Sequence, residues 1–450
     1  MKASLFFLVL ASLVSPVIAT AANEAGEVRT VTLRNGLRIV LAPDSAAATA
    51  DVTVWYLAGT RYEREGLSGI THLCERLMFR GSKTYGPGEH LRLLHAEGAT
   101  VSTFTTADFS SFYQTLPPAA IDLALSLEAD RMGSLVLRQA DLDAERAVAH
   151  EENRRLAASS QVIVGMQQLL GAAFRGGPYA LPPVGRDADL ARITLQDAKA
   201  YWSGRYGPNN AVLTVVGRFD PDRTLAAARK AFEPIPRRRV PPAPARNAAG
   251  QPAARFVTRP FAGTSPTLLA GWRALADGDP DAPAVEVLAR LLAGGPGARL
   301  SRALGGKDGS EAYVVQGGVD ARQEAGLLYA FAVFPPGADS ARVQSAVRSE
   351  AARLATEAVT PEALARAERQ VESTTLFLMQ GSRGKARALG AGWVLAGDPR
   401  AIEGRLARLR GLTPADVQRV AARVLDADRL VLVWMPATGA PANAEGEGRP

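Results

Sequence analysis

His72, Glu75 and Arg76 stand within five residues of one another in the stretch GITHLCERLMFRGS, residues 69–82. At about 100° of rotation per residue, a helix through it carries all three on one face and turns Cys74 away. Hydrolytic zinc chemistry needs neutral imidazoles and a carboxylate as ligands, with an open position for water. It also needs a base that touches the water without binding the metal. His-x-x-Glu-His meets those needs with two ligands one turn apart and the base between them, the reverse of His-Glu-x-x-His. Here the third member is Arg76, whose guanidinium stays protonated and has no lone pair to give. The stretch therefore presents a hydrolytic constellation from which one ligand has been chemically removed. Taken alone, a His and a Glu three apart on a helix are more often an exposed surface pair.

The surrounding elements decide where those side chains go. With 450 residues, 47% hydrophobic and 22% charged, the chain is long enough for more than one core and most simply for two. Residues 237–255, RRRVPPAPARNAAGQPAAR, read as a solvated linker. It separates an N-terminal lobe, residues 27–236, from a C-terminal lobe, residues 256–436. The first lobe opens with VRTVTLRNGLRIVLAP, two alternating strands around Asn35-Gly36, a strong hairpin signal. The strand DVTVWYLAG precedes the His72 helix, and ATVSTFTTADFSSFYQTLP reads as a strand pair. Helices over about residues 118–132 and 141–158 follow, then the buried strand NAVLTVVGRFD and the helix DRTLAAARKAFEPI. The second lobe repeats this order loosely. SPTLLAGWRAL is a strand, PDAPAVEVLARLLAGG a helix ending in glycines, AYVVQGGVDA and GLLYAFAVFPP are strands, and two long helices follow. The expected fold class is α+β, two lobes of one type, each a mostly antiparallel sheet with helices on one face.

The opening MKASLFFLVLASLVSPVIATAANEAG has a basic start at Lys2, an apolar run over residues 5–14, a break at Pro16 and the small-x-small site Ala19-Thr20-Ala21. Residues 1–21 thus read as a signal peptide; the run is shorter than the roughly 20 residues that span a bilayer. Export is expected, to the periplasm if the cell is Gram-negative, with no membrane span after cleavage. The net charge of +7 is spread along the chain, without the basic stripe interleaved with aromatics that nucleic-acid binding requires. The single cysteine, Cys74, excludes an intramolecular disulfide. Residues 437–450, ATGAPANAEGEGRP, read as an unfolded tail.

The region GTRYEREGLSGITHLCERLMFRGS resembles the signature of the insulinase, pitrilysin and mitochondrial processing peptidase family of inverted-motif zinc peptidases. DAERAVAHEENRR, GGPYALPPVGRDADL, YWSGRYGPNNAVLTVVGRFDP and LARLLAGGPGARLSRAL are similar to that family in the same order. The resemblance covers about residues 28–435 and implies two lobes that close as a clamshell around extended peptides. It assigns His72 to the first metal ligand, Glu75 to the general base, Glu152 to the distant carboxylate ligand and Glu145 to an acid supporting the site. A spacing of seven puts Glu145 and Glu152 two turns apart on one helix face. Ser102-Thr103-Phe104-Thr105 stands where the family has Asn-Ala-x-Thr, so Ser102 replaces an amide that holds the peptide backbone. Tyr313 keeps a peptide-binding position, while Gly306 stands where an arginine is expected. The neighbouring Lys307 cannot reproduce a bidentate fork.

Zinc is therefore expected to be weakly held or absent. Buried acids brought together without a cation repel one another and lose hydration, so Arg76 is expected to turn inward and neutralise Glu75 and Glu152 by forked hydrogen bonds. The other arrangement sends Arg76 to solvent and leaves a two-ligand site. Remaining polar residues offer less. His90 and His95 lie five apart on different faces of a helix, and His150 points off the face of Glu152. Cys74 faces the core as an inert thiol, and Ser301 has no His and Asp arrangement nearby to activate it.

Two function classes stay open. One is a non-catalytic subunit that pairs with an active family member, or with itself, and helps to hold extended peptides. Paired active and degenerate chains recur in the family that this sequence resembles, and core subunits of respiratory complexes resemble it without proteolysis. The other is an active zinc metalloendopeptidase with an atypical ligand set. Arg76 separates them and favours the first. Peptide holding would use exposed strand edges, the β-augmentation mode.

Overall fold

The computed structural model describes residues 27–242, 254–305 and 312–439. The leader, most of the linker, Gly306, Lys307 and the tail from residue 440 onward lie outside the described residues.

The first sheet contains β1 (Arg29–Thr32), β2 (Arg38–Pro43), β3 (Ala50–Tyr56), β4 (Thr100–Thr105), β5 (Ser110–Leu116) and β6 (Ala211–Gly217). Its order is β1-β2-β6-β3-β5-β4, with β2 and β6 parallel and every other pair antiparallel. The second sheet contains β7 (Arg255–Thr258), β8 (Thr267–Arg273), β9 (Val314–Asp320), β10 (Leu327–Val333) and β11 (Val431–Met435). Its order is β7-β11-β8-β10-β9, and again only one pair, β7 with β11, is parallel. With β2 set against β7, β6 against β11, β3 against β8, β5 against β10 and β4 against β9, order and sense of pairing coincide. The loose repeat in the sequence is thus a repeat of topology, with β1 as an additional edge strand. The Asn35-Gly36 turn joins β1 to β2; Gly36 takes φ +90°, open to it for want of a Cβ. The Asn35 amide donates to the Phe232 and Ile235 carbonyls at 2.7 and 3.0 Å, tying the turn to the end of the helix Pro221–Phe232.

Strands β3 and β6 are buried along their whole length, so both faces of the first sheet need a cover. Helices of its own lobe cover one face, where Ile39, Leu41, Val52 and Val54 meet Leu73 and Leu77. On the other face Val40, Trp55, Val212 and Val216 pack against Ala386, Leu389 and Val394 of the helix Gly381–Ala396, which comes from the C-terminal half. The second sheet receives the reciprocal element. Helix Gln161–Ala173 of the N-terminal half lays Val164, Leu169 and Ala173 against Leu269, Val431 and Val433. Apart from Arg255 at the start of β7, the bounds 27–236 and 256–436 therefore contain the two sheets, while each lobe lends one helix to the other. Both crossing helices put a glycine at the contact. A Cβ on Gly390 would overlap the Trp55 indole, and one on Gly165 would overlap Leu269.

A buried polar seam also joins the lobes. Arg61 donates to Asp108 of its own lobe at 3.2 Å and to Gln323 at 2.7 Å, and pairs with Glu324, both of the loop between β9 and β10. Two expectations need correction. The start of the linker is docked at Arg238, whose guanidinium stacks 3.9 Å from the Trp202 ring centroid and donates to the Trp202 carbonyl at 3.2 Å, while Arg237 and Arg239 beside it are exposed. Residues 437–439 are not free tail: the Thr438 and Gly439 amides bond to Phe261 and Gly263 at 3.1 Å. Among the described residues no helix is long and apolar enough to cross a membrane.

Candidate functional site

The motif helix runs from Ile70 to Leu77. Its start is anchored by Glu63, whose two carboxylate oxygens accept from the Gly69 and Thr71 amides at 3.0 Å each, satisfying donors that a helix N-terminus leaves open. Burial pushes the Glu63 carboxyl up to about 7. Leu73, Cys74 and Leu77 are buried on the core side, and burial raises the Cys74 thiol far from its reactive form. The other side presents His72, Glu75 and Arg76. Beside it the helix Gln139–Ser159 brings in Glu145 and Glu152.

Arg76 turns inward, but its partners are Glu145 and Glu152. Its Nε donates to Glu145 and its Nη1 to Oε1 of Glu152 at 2.9 Å. Arg80, one turn on, donates from Nε to the second oxygen of Glu145 at 2.6 Å. Glu145 is only 6% exposed in its side chain, so these two guanidiniums supply the charge balance that solvent cannot. His72 meets Oε2 of Glu152 through Nε2 at 2.7 Å. That hydrogen bond, with the charge of Arg76, holds the Glu152 carboxyl below its ordinary range.

The expectation that Arg76 also neutralises Glu75 is corrected. Adjacent residues on a helix diverge by about 100°, so Glu75 faces β4 while Arg76 faces the long helix. Thr103 and Thr105 each donate a hydroxyl hydrogen bond to one Glu75 oxygen. Sequence reasoning passed over Thr103, Thr105 and Arg80 as site residues. For Thr103 a signal was present: a hydroxyl stands where the family pattern has alanine.

The structure thus joins His72, Arg76, Glu145 and Glu152 in one hydrogen-bonded network, with Glu75 beside it, 4.0 Å from Nδ1 of His72. Ser102 and Tyr313 lie outside it. The Ser102 hydroxyl is on the opposite face of β4 and accepts from Arg383. Tyr313 precedes β9 with 64% of its surface exposed, its backbone amide bonded to the Val333 carbonyl at 2.8 Å. His150 bonds to Asp187 at 2.8 Å. His90 is buried, and burial pushes its pKa well down.

Residues 38–186 match the family described as insulinase, peptidase family M16, and residues 192–371 match the one described as peptidase M16 inactive domain. The chain belongs to the insulinase family. It is 32% identical to the zinc protease PqqE of Helicobacter pylori over 206 residues, a match spanning 46% of either chain. An uncharacterized zinc protease of Streptomyces coelicolor is 26% identical over 407 residues, 89% of this chain and 88% of that one. Subunit 1 of the mitochondrial cytochrome b-c1 complex of Caenorhabditis elegans is 29% identical over 193 residues, 43% of this chain and 41% of that one. The solved structure of a peptidase M16 inactive domain from Pseudomonas fluorescens shares the fold with a TM-score of 0.82 at 19% identity, covering 92% of this chain and 98% of the other.

Relatives named as zinc proteases make zinc plausible for the family. The donor set of this insulinase-family chain does not fit that ion as arranged. A three-ligand centre needs lone pairs converging on one point. Here the Nε2 of His72 is engaged with Glu152, and Arg76, at the position to which the family resemblance gives an imidazole, is a guanidinium that itself donates to Glu145 and Glu152. Among the described residues no group of three or more His, Cys, Asp and Glu side chains is placed to hold a metal ion. The network instead pairs the cations Arg76 and Arg80 with the anions Glu145 and Glu152.

Proposed function

We propose that this insulinase-family chain is an exported, non-catalytic subunit that pairs with an active family member and helps to hold extended peptides. The observation that carries the reading is the guanidinium of Arg76 bridging Glu145 and Glu152. A permanent cation takes over charge balance between those acids and contributes no lone pair, so Lewis acidity must come from another polypeptide. Glu75, with a threonine hydroxyl on each oxygen, is held as a structural acceptor. Zinc is bound weakly or not at all.

Pairing is supported by the likeness to a protein named as a subunit of the cytochrome b-c1 complex. Peptide holding is supported by β4 and β9, each the last strand of its sheet, with backbone groups open to an added strand. The leader-like residues 1–21 support export. The test is metal analysis of the purified mature chain, then peptide cleavage and co-purification with and without an intact His-x-x-Glu-His companion. Little zinc, no cleavage by the chain alone and cleavage by the pair are expected. Stoichiometric zinc with chelator-sensitive cleavage by the chain alone overturns the reading.

A further inference from the structure

Strand β4 presents different chemistry on its two faces. Thr103 and Thr105 point to Glu75 and the motif helix. Ser102 and Phe104 point the other way, toward the helix Gly381–Ala396 lent by the C-terminal half. Arg383 donates to the Ser102 hydroxyl and lies 5.5 Å from the Tyr113 ring centroid, while the Arg387 guanidinium lies 5.9 Å from the Phe104 ring. These arginines are four apart, on one side of their helix, and both are exposed. Phe104 itself is 49% exposed.

The charge arrangement differs sharply between the faces. On the motif-helix side, Arg76 and Arg80 are matched by Glu145 and Glu152. On the opposite side, among the described residues, neither Arg383 nor Arg387 has a carboxylate within ion-pair distance. Of the nearby acids, Asp44 pairs with Lys385 at 2.6 Å, and buried Asp51 accepts from Thr53 and, at 2.9 Å, from Thr115 while feeling the Arg383 charge from beyond ion-pair distance. Arg387 also lines a cavity of about 500 Å³ whose wall carries Asp277, Glu286, Asp398 and Glu403, the first two paired with Arg405 at 2.5 and 2.7 Å and none within ion-pair distance of Arg387.

We propose that Arg383 and Arg387 select acidic side chains, Asp or Glu, on an extended peptide paired along β4. The inference rests on the peptide-holding reading above and adds the charge of what is held. In a paired strand, successive side chains alternate between the two faces, so every second residue passes over these arginines. An Arg–carboxylate contact there is charge-assisted, and neither guanidinium gives up an internal ion pair to make it.

The test uses the full mature chain and short fluorescent peptides of alternating threonine and a variable residue, read by anisotropy at low salt. The variable residue is Glu, Gln or Lys. The glutamate peptide is expected to bind about tenfold more tightly than the glutamine peptide and more tightly still than the lysine peptide. The double substitution Arg383→Gln, Arg387→Gln, checked for an unchanged melting temperature, is expected to bind glutamate and glutamine peptides alike. Equal binding of the two by the parent chain, or a preference that survives the double substitution, overturns the charge selection and leaves peptide holding intact. If no peptide binds the parent, both ideas fall together.

Discussion

Arg76 and Glu152 are joined by a hydrogen bond of 2.9 Å from Nη1 to Oε1, and the other oxygen of the same carboxylate meets His72 at 2.7 Å. A cation and an imidazole thus share the carboxylate that the family resemblance assigns to metal. Glu145 receives the remaining arm of the guanidinium.

Replacing Arg76 by methionine leaves Glu145 with Arg80 and Glu152 with His72. The loss is expected to be on the order of 2 kcal/mol, between that of an exposed pair and a fully buried one, read as a lower urea midpoint with unchanged slope. Arg76→Lys recovers only part of it, since an ammonium cannot span both carboxylates as a planar fork does.

Arg76→His restores a second imidazole one turn from His72, with Glu152 already alongside both. Zinc content after metal loading and desalting is expected to rise well above that of the parent. A variant that retains no more zinc than the parent would show that His72 and Glu152 are not poised as ligands.

The helix exchange makes a sharp prediction about glycine. Gly390→Ala drives a methyl into Trp55, and Gly165→Ala drives one into Leu269 and Met435. Each is expected to destabilise by about 1–3 kcal/mol. Gly171 lies on the same helix as Gly165 with nothing near its Cβ position, so Gly171→Ala is expected to be neutral or to stabilise by up to about 1 kcal/mol. Thermal melts of the three variants decide it.

Burial raises Glu63 from an ordinary 4.5 to about 7. The folded chain therefore holds this proton where the unfolded chain has released it. Its contribution to stability is fully present below about 4.5, is lost as pH climbs through about 7, and is constant above that. The loss is on the order of 2 kcal/mol for this half-buried group. Denaturant titrations across that window should show the slope in the parent and its absence in Glu63→Gln.

Arg61 carries the polar seam between lobes, with Asp108 on one side and Gln323 and Glu324 on the other. Arg61→Met strands the buried Asp108 carboxylate without its cation. A cost of about 3 kcal/mol is expected, together with faster limited proteolysis where the helices Gln139–Ser159 and Gln161–Ala173 meet.

Much of this protein is written locally. The Asn35-Gly36 hairpin, the largely apolar strands β3 and β6 and the two-lobed repeat follow from side-chain periodicity and turn chemistry, which act over a few residues. That residue 76 cannot serve as a metal ligand is equally local, because no environment gives a guanidinium a free lone pair. Tertiary structure alone decided the partners. Glu145 lies 69 residues from Arg76, and Thr103 lies 28 from Glu75; only packing of the long helix and of β4 beside the motif helix determines which acid meets the cation and which meets hydroxyls. The exchange of the crossing helices was likewise hidden, since an amphipathic pattern says that a helix must cover an apolar face and not which of two similar sheets provides it. Arg383 and Arg387 reach β4 only through that exchange.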